Sequence, residues 1–170
     1  MAAGDVRQQF GASSNQTVTA LASLASSATL MAGWTSGAIS NSGGDLSHIV
    51  TGQITVGASP TAGTISLYLY ARRDDSNWPD LFSAGTEASE GAATIHDSTG
   101  VRDAGMHLLW SVTTDTDASR IYTIAPTDIE ARLGFMPAEY ALFLTHSTVQ
   151  ALAASGHQIT IKARNAAVAQ

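Results

Sequence analysis

The chain of 170 residues contains no cysteine, which excludes disulfides and thiolate metal sites and fits manufacture in a reducing cytoplasm. It has a single lysine, Lys162, beside seven arginines, and a formal net charge of −6. Neutralising phosphates takes a basic patch, and so few cations cannot build one, so neither nucleic acid nor an anionic membrane surface is an expected partner. Charged residues make up only 13% of the chain, roughly half the usual share, so much of the surface is expected to meet neighbours rather than water. Long apolar runs are also missing. Residues 17–33, TVTALASLASSATLMAG, are interrupted by hydroxyls and follow Asp5 rather than a basic run, so they read as neither a signal core nor a bilayer span.

What is present is a great deal of Ala, Ser, Thr and Gly, interleaved with short runs in which apolar and polar residues alternate. Period two means strands, and the chain length suits one domain. The expected fold is all-β: an antiparallel β-sandwich, jelly-roll-like, over residues 17–165, with an extended N-terminal arm at 1–16 and a short tail at 166–170. Strands are expected at 17–24, 29–39, 47–57, 64–73, 106–114, 119–125, 140–146 and 157–164, with a turn or short helix at 126–134. In TISLYLYARR, Ile65, Leu67, Leu69 and Ala71 point one way, and Ser66, Tyr68, Tyr70 and Arg72 the other. Met106, Leu108, Trp110 and Val112 alternate in the same way, and YALFLTH is apolar enough to be a central strand. Leu67, Leu69, Leu108, Trp110, Phe143 and Ile159 are expected to share one core. Gly52 falls on an inward face, where a bulge or close packing would require it. Residues 74–105 form a polar excursion with one short strand near 93–96, too long to be idle in a compact domain.

Chemistry is sparse. His48, His96, His107, His146 and His157 show no metal-ligand spacing and read as surface or edge residues. Asp74, Asp75, Asn77 and Asp80, like Asp115 and Asp117, could offer oxygens to calcium, but they lack the spacing of a calcium loop and read as turn formers. No G-x-S-x-G elbow, phosphate-binding glycine loop or pair of buried carboxylates is evident, so no catalytic residue, cofactor or metal is expected. Trp34, Trp78, Tyr68 and Tyr70 could form a stacking face for a sugar if exposed. Trp78, before Pro79, serves either as an inward-packed anchor or as a partner contact. The arm offers two further candidate contacts, Arg7 as its one cation and Phe10 as its one large apolar residue; it holds too little apolar surface to dock firmly on its own domain.

Three stretches, GTISLYLYARRDDSNWPDLFSAG, the strand and Pro/Asp turn from Ile121 to Phe135, and FMPAEYALFLTHSTVQAL, resemble small structural proteins of tailed bacteriophages and prophages. The resemblance implies a β-sandwich virion component made in the host cytoplasm: a capsid decoration protein, or a tail accessory. It implies association with itself, a trimer on local three-fold axes being one arrangement, and with the major capsid protein or tail proteins. A tail-associated adhesin or carbohydrate-binding sandwich is the competing expectation.

Overall fold

Alternation of apolar and polar residues produces strands, and the strands fold into two antiparallel sheets packed face to face. In the computed structural model, residues 6–84 and 87–168 are described. The strands are β1 (Val6–Asn15), β2 (Ala32–Thr35), β3 (Ile39–Ser40), β4 (Ser47–Thr55), β5 (Gly63–Ala71), β6 (Gly91–Thr94), β7 (His107–Thr114), β8 (Ile121–Asp128), β9 (Glu139–His146) and β10 (Gln158–Val168). One sheet has the order β1-β10-β4-β8; the other has β6-β2-β9-β5-β7, with β3 also on β9. With β3 and β6 set aside, the remaining strands in chain order fall into sheets 1-8-3-6 and 2-7-4-5, the arrangement of a jelly roll. The expected sandwich is therefore the fold observed.

Between the sheets lies the main core, with Val50, Ile54, Ile65, Leu67, Leu69, Ile124, Leu142, Leu144 and Ile159 all fully buried. A second core lies on the outer face of the five-stranded path. There the excursion after β5 folds back as β6 and helix α1 (Thr99–Gly105), bringing Leu81, Phe82, Ile95 and Met106 onto Tyr68, Tyr70 and Phe143. Both faces of β5 are consequently buried, and Tyr68 and Tyr70 are not on a wet face. The excursion is a packing element, and Phe143 belongs to this second core rather than sharing one with Leu67.

Other expectations need correction. Residues 17–24 form no strand: Leu21 and Leu24, three apart, are both buried beneath a 3-10 turn at Thr19–Leu21. Segment 29–39 breaks into the short β2 and β3. In β7 the pairing skips a residue, with Leu67 opposite Trp110 but Tyr68 opposite Leu108. Leu109 is the extra residue of a bulge that reverses the facing, so Leu109 is buried and Leu108 is 39% exposed. Gly52 sits where a Cβ would collide with the Gln158 carbonyl oxygen of β10. After β8, helix α2 (Ile129–Leu133) is capped by Asp128, whose side chain accepts from the Ala131 N–H at 3.0 Å. It ends on Gly134 at φ 80°, a conformation suited to glycine.

The N-terminal arm is extended, as expected, but it is not free of its own domain. As β1 it pairs along its length with β10, from Val6 opposite Val168 to Asn15 opposite Thr160. The C-terminal segment expected as a tail is likewise in strand through Val168. Residues 1–5 and 169–170 of the arm and tail lie outside the described residues.

Candidate functional site

The two chain ends build the most distinctive surface. β4 pairs with β10 only from Gln158 to Arg164, so beyond Arg164 the β10 residues have β1 as their one described strand partner. Residues 6–9 and 165–168 thus continue past the sheet as a two-stranded ribbon. Every β1 residue is exposed except Gly11, which is half-buried. Gly11 stands where a Cβ would come 3.4 Å from the Cβ of Ala163, beside a register shift between Phe10 and Ser13. Val6 is 71% exposed and Phe10 51%. The Lys162 ammonium lies 5.5 Å from the Phe10 ring centroid, a cation–π contact on the outer face of the sheet. Arg7 is exposed, opposite Ala167.

Where the ribbon joins the body, the inner face of β1 and β10 opens onto a cleft of about 530 Å³. Ala12, Ser14, Ile161 and Ala163 line one wall, and Gly37, Ala38, Ile39 and Glu90 the other. His48 lines the same cleft but is buried and fully partnered: Nδ1 lies 2.9 Å from the Tyr140 hydroxyl and Nε2 2.9 Å from Asp45 Oδ2. Burial, reinforced by the Asp45 charge, drives the Tyr140 phenol far above its usual range. The Asp45 carboxylate can only accept, so the His48 Nε2–H donates to it while the Tyr140 hydroxyl faces Nδ1. The network locks the β3–β4 connection against β9 and presents no nucleophile to the cleft.

Trp78 packs against the second core. It is half-buried, with its ring edge-on to Tyr70 at 5.6 Å and the Arg72 guanidinium 6.0 Å from its centroid. Trp34 and Tyr70 are fully buried and Tyr68 nearly so. The Trp34 indole donates to Glu90 Oε1 at 2.9 Å, and Tyr70 Oη lies 2.6 Å from Thr35 Oγ1. Three of the four aromatics that could have made a stacking face are therefore internal packing, and Trp78 is partly buried against them. The structure places Arg7 on the ribbon and Phe10 at its base, and sets Trp78 apart from both, against the second core.

Two histidines expected at the surface are core residues. His146 in β9 is fully buried; its Nε2–H donates to the Leu24 carbonyl at 3.1 Å, leaving Nδ1 as the acceptor facing Thr148 Oγ1 at 2.9 Å. Burial lowers its pKa, so it is neutral near pH 7. The acidic loops behave as turns. Asp74 accepts from the backbone N–H groups of Ser76 and Asn77, bonds that hold its carboxyl at about 2. Asp115 takes the Asp117 N–H, the Tyr122 hydroxyl and the Arg120 guanidinium. Among the described residues, no three His, Asp or Glu side chains converge to hold a metal.

No protein-family model matches the chain, and a search of curated proteins finds no similar sequence. The reading of function rests on the fold and on the ribbon.

Proposed function

We propose that the protein is a non-enzymatic structural component of a bacteriophage virion, a capsid decoration protein that binds the head surface through the major capsid protein and associates with its own copies. The observation that carries this reading is the jelly roll whose paired chain ends project as a weakly charged ribbon, with Val6 exposed on it and Phe10 exposed at its base. Jelly rolls recur in viral capsid and lectin domains, so the fold alone leaves both classes open. Burial of Trp34, Tyr68 and Tyr70 removes the ring platform a sugar would need, which favours the scaffold over the adhesin. A ribbon with both faces wet suits contacts completed by assembly, and low charge lets many copies lie side by side.

Imaging of particles carrying the tagged protein by cryo-electron microscopy tests this. Regular density on the head surface is the expected result. Density confined to the tail, together with specific retention on a glycan array, replaces this reading with the adhesin; absence from purified particles overturns both.

A further inference from the structure

The outer edge of β1 is a row of backbone groups that, among the described residues, no strand pairs. Such edges are normally blunted by lysine, proline or inward-pointing charge, or kept short. Here ten residues run with one charge, Arg7, and no lysine or proline.

The phase of the ladder shows which groups are free. The Gln16 N–H donates to the Ile159 carbonyl at 2.8 Å, whereas the Arg164 carbonyl turns the other way and accepts from Leu46 at 2.9 Å. Backbone polar groups alternate in direction along a strand, so Asn165 and Ala167 turn theirs toward β1, where they meet Gln9 and Arg7. Val6, Gln8 and Phe10 therefore turn their N–H and C=O groups outward. Cross-strand partners share a face, so the side chains of these three residues lie on the outer face with Arg164 and Lys162.

We infer that β1 pairs antiparallel with β1 of a second copy of this chain about a two-fold axis at Gln8. In that register Val6 faces Phe10 of the other copy, Gln8 faces Gln8 and Phe10 faces Val6. All three are hydrogen-bonded pairs, closing six backbone bonds. The two most exposed apolar residues of the strand cover each other in aromatic–β-branched cross-strand pairs. Arg7 stands opposite Gln9, so the lone cations never oppose. No other register within 6–10 satisfies all three conditions: shifting by one residue breaks the hydrogen-bond phase, and shifting by two sets Phe10 against Gln8 or Val6 against Gln8. The second copy is thus selected by the self-complementarity of V-R-Q-Q-F, and the shift after Phe10 ends the flush segment. An isolated two-stranded ribbon is marginal in water, and this contact makes it four-stranded. Five residues a side is small beside the roughly 1,200 Å² of a stable interface, so the dimer is expected to be weak in dilute solution and to gain from many copies acting together.

The inference deepens the self-association part of the proposed function and does not depend on placement in a virion; the purified full chain tests it without particles, so its failure leaves the head-surface reading to its own experiment. Sedimentation velocity from micromolar to millimolar concentration is expected to show a monomer–dimer equilibrium. Gln8→Pro removes an outward N–H while leaving the β1–β10 bonds in place, and is expected to raise the dissociation constant at least tenfold with unchanged circular dichroism. Since the chain has no cysteine, Gln8→Cys with a short bismaleimide is expected to give covalent dimer, and the exposed Ser155→Cys is not. Should Gln8→Pro fail to fold, the cross-linking comparison decides. A chain monomeric at millimolar concentration, an oligomer indifferent to Gln8→Pro, or Gln8→Cys cross-linking no better than Ser155→Cys overturns the inference.

Discussion

Glu90 and Trp34, 56 residues apart, are joined by a hydrogen bond of 2.9 Å from the buried indole to the carboxylate. The same oxygen, Oε1, accepts from the Ala20 N–H at 2.8 Å, so one side chain ties the 3-10 turn, β2 and the approach to β6 together. Glu90→Ala leaves two donors without their partner, and a buried donor left unpaired costs about 1–3 kcal/mol. Urea unfolding of Glu90→Ala is expected to show a loss in that range, with Glu90→Gln retaining most of the stability because its amide oxygen can still accept. Equal loss in both variants would mean that charge, not hydrogen bonding, is what Trp34 needs.

The bulge at Leu109 sets up a contrast between neighbours. Leu109 is buried and Leu108 is exposed, although simple alternation from Met106 assigns them the other way. Leu109→Ala and Leu69→Ala are each expected to cost about 2–5 kcal/mol, and Leu108→Ala about 0.5 kcal/mol or less. Comparable losses at 108 and 109 would place the register of β7 one residue away from that described.

These two cases show what the sequence could reveal. The strands at 64–73 and 157–164 were legible from their alternation, 47–57 from the same period with Gly52 within it, and 140–146 from a nearly continuous apolar run, and the sandwich follows from them. A bulge leaves no mark in composition, so Leu108 was assigned inward. The burial of Tyr68 and Tyr70 depends on residues 78–106 folding back over them, a long-range contact that period-two reasoning on β5 cannot register. His48 and His146 gave no signal because Tyr140 is 92 residues from His48 and Leu24 meets His146 through a backbone carbonyl, while Asp45, three residues before His48, is indistinguishable in sequence from an ordinary turn residue. Arg7 and Phe10 stood out by being the lone cation and the lone large apolar residue of a polar segment. That this segment would be a strand on β10 was hidden by its polar composition, because its pairing is made by the backbone.

Glycine offers a second contrast. A methyl at Gly52 would run into the Gln158 carbonyl of the neighbouring strand, while nothing lies within 4 Å of one at Gly37. Relieving the clash in Gly52→Ala means separating β4 from β10, and a loss of about 1–3 kcal/mol is expected, as for other overpacked sites. Gly37→Ala is expected to be neutral or stabilising by up to about 1 kcal/mol, because it restricts the unfolded chain. Thermal melts of the two variants check this; a stable Gly52→Ala would show that the strands are farther apart.

His146 makes stability depend on pH. Burial lowers its pKa in the folded state, so between the folded and unfolded values the unfolded chain binds the extra proton. Its neutral form is therefore no liability above the ordinary histidine value of about 6.5, and stability is lost as pH falls below it. The melting temperature is expected to decline from about pH 6.5 downward, before carboxylates titrate near pH 4. His146→Gln is expected to melt lower at neutral pH, having lost the Leu24 bond, yet to show a flatter decline over the same interval. An identical slope would assign the acid sensitivity to other groups.

Removing residues 1–10 separates what the ribbon does for the fold from what it does in assembly. Exposed side chains mean that this half of β1 buries little apolar surface, and β10 keeps β4 along residues 158–164. The truncated chain is expected to stay folded, with a melting temperature lower by a few degrees, in keeping with a loss of about 1 kcal/mol from a chain this size. Deleting through residue 16 also strips the segment paired with Ile161 and Thr160 and is expected to cost more, because the β10 edge of the main sheet is then bare. Occupancy on particles should respond differently, falling steeply already with the shorter deletion, since Arg7, Phe10 and the Gln8 edge all leave together. Full occupancy by the shorter truncation would move the assembly contact off the ribbon, and unfolding by it would make the ribbon part of the fold's foundation rather than its docking arm.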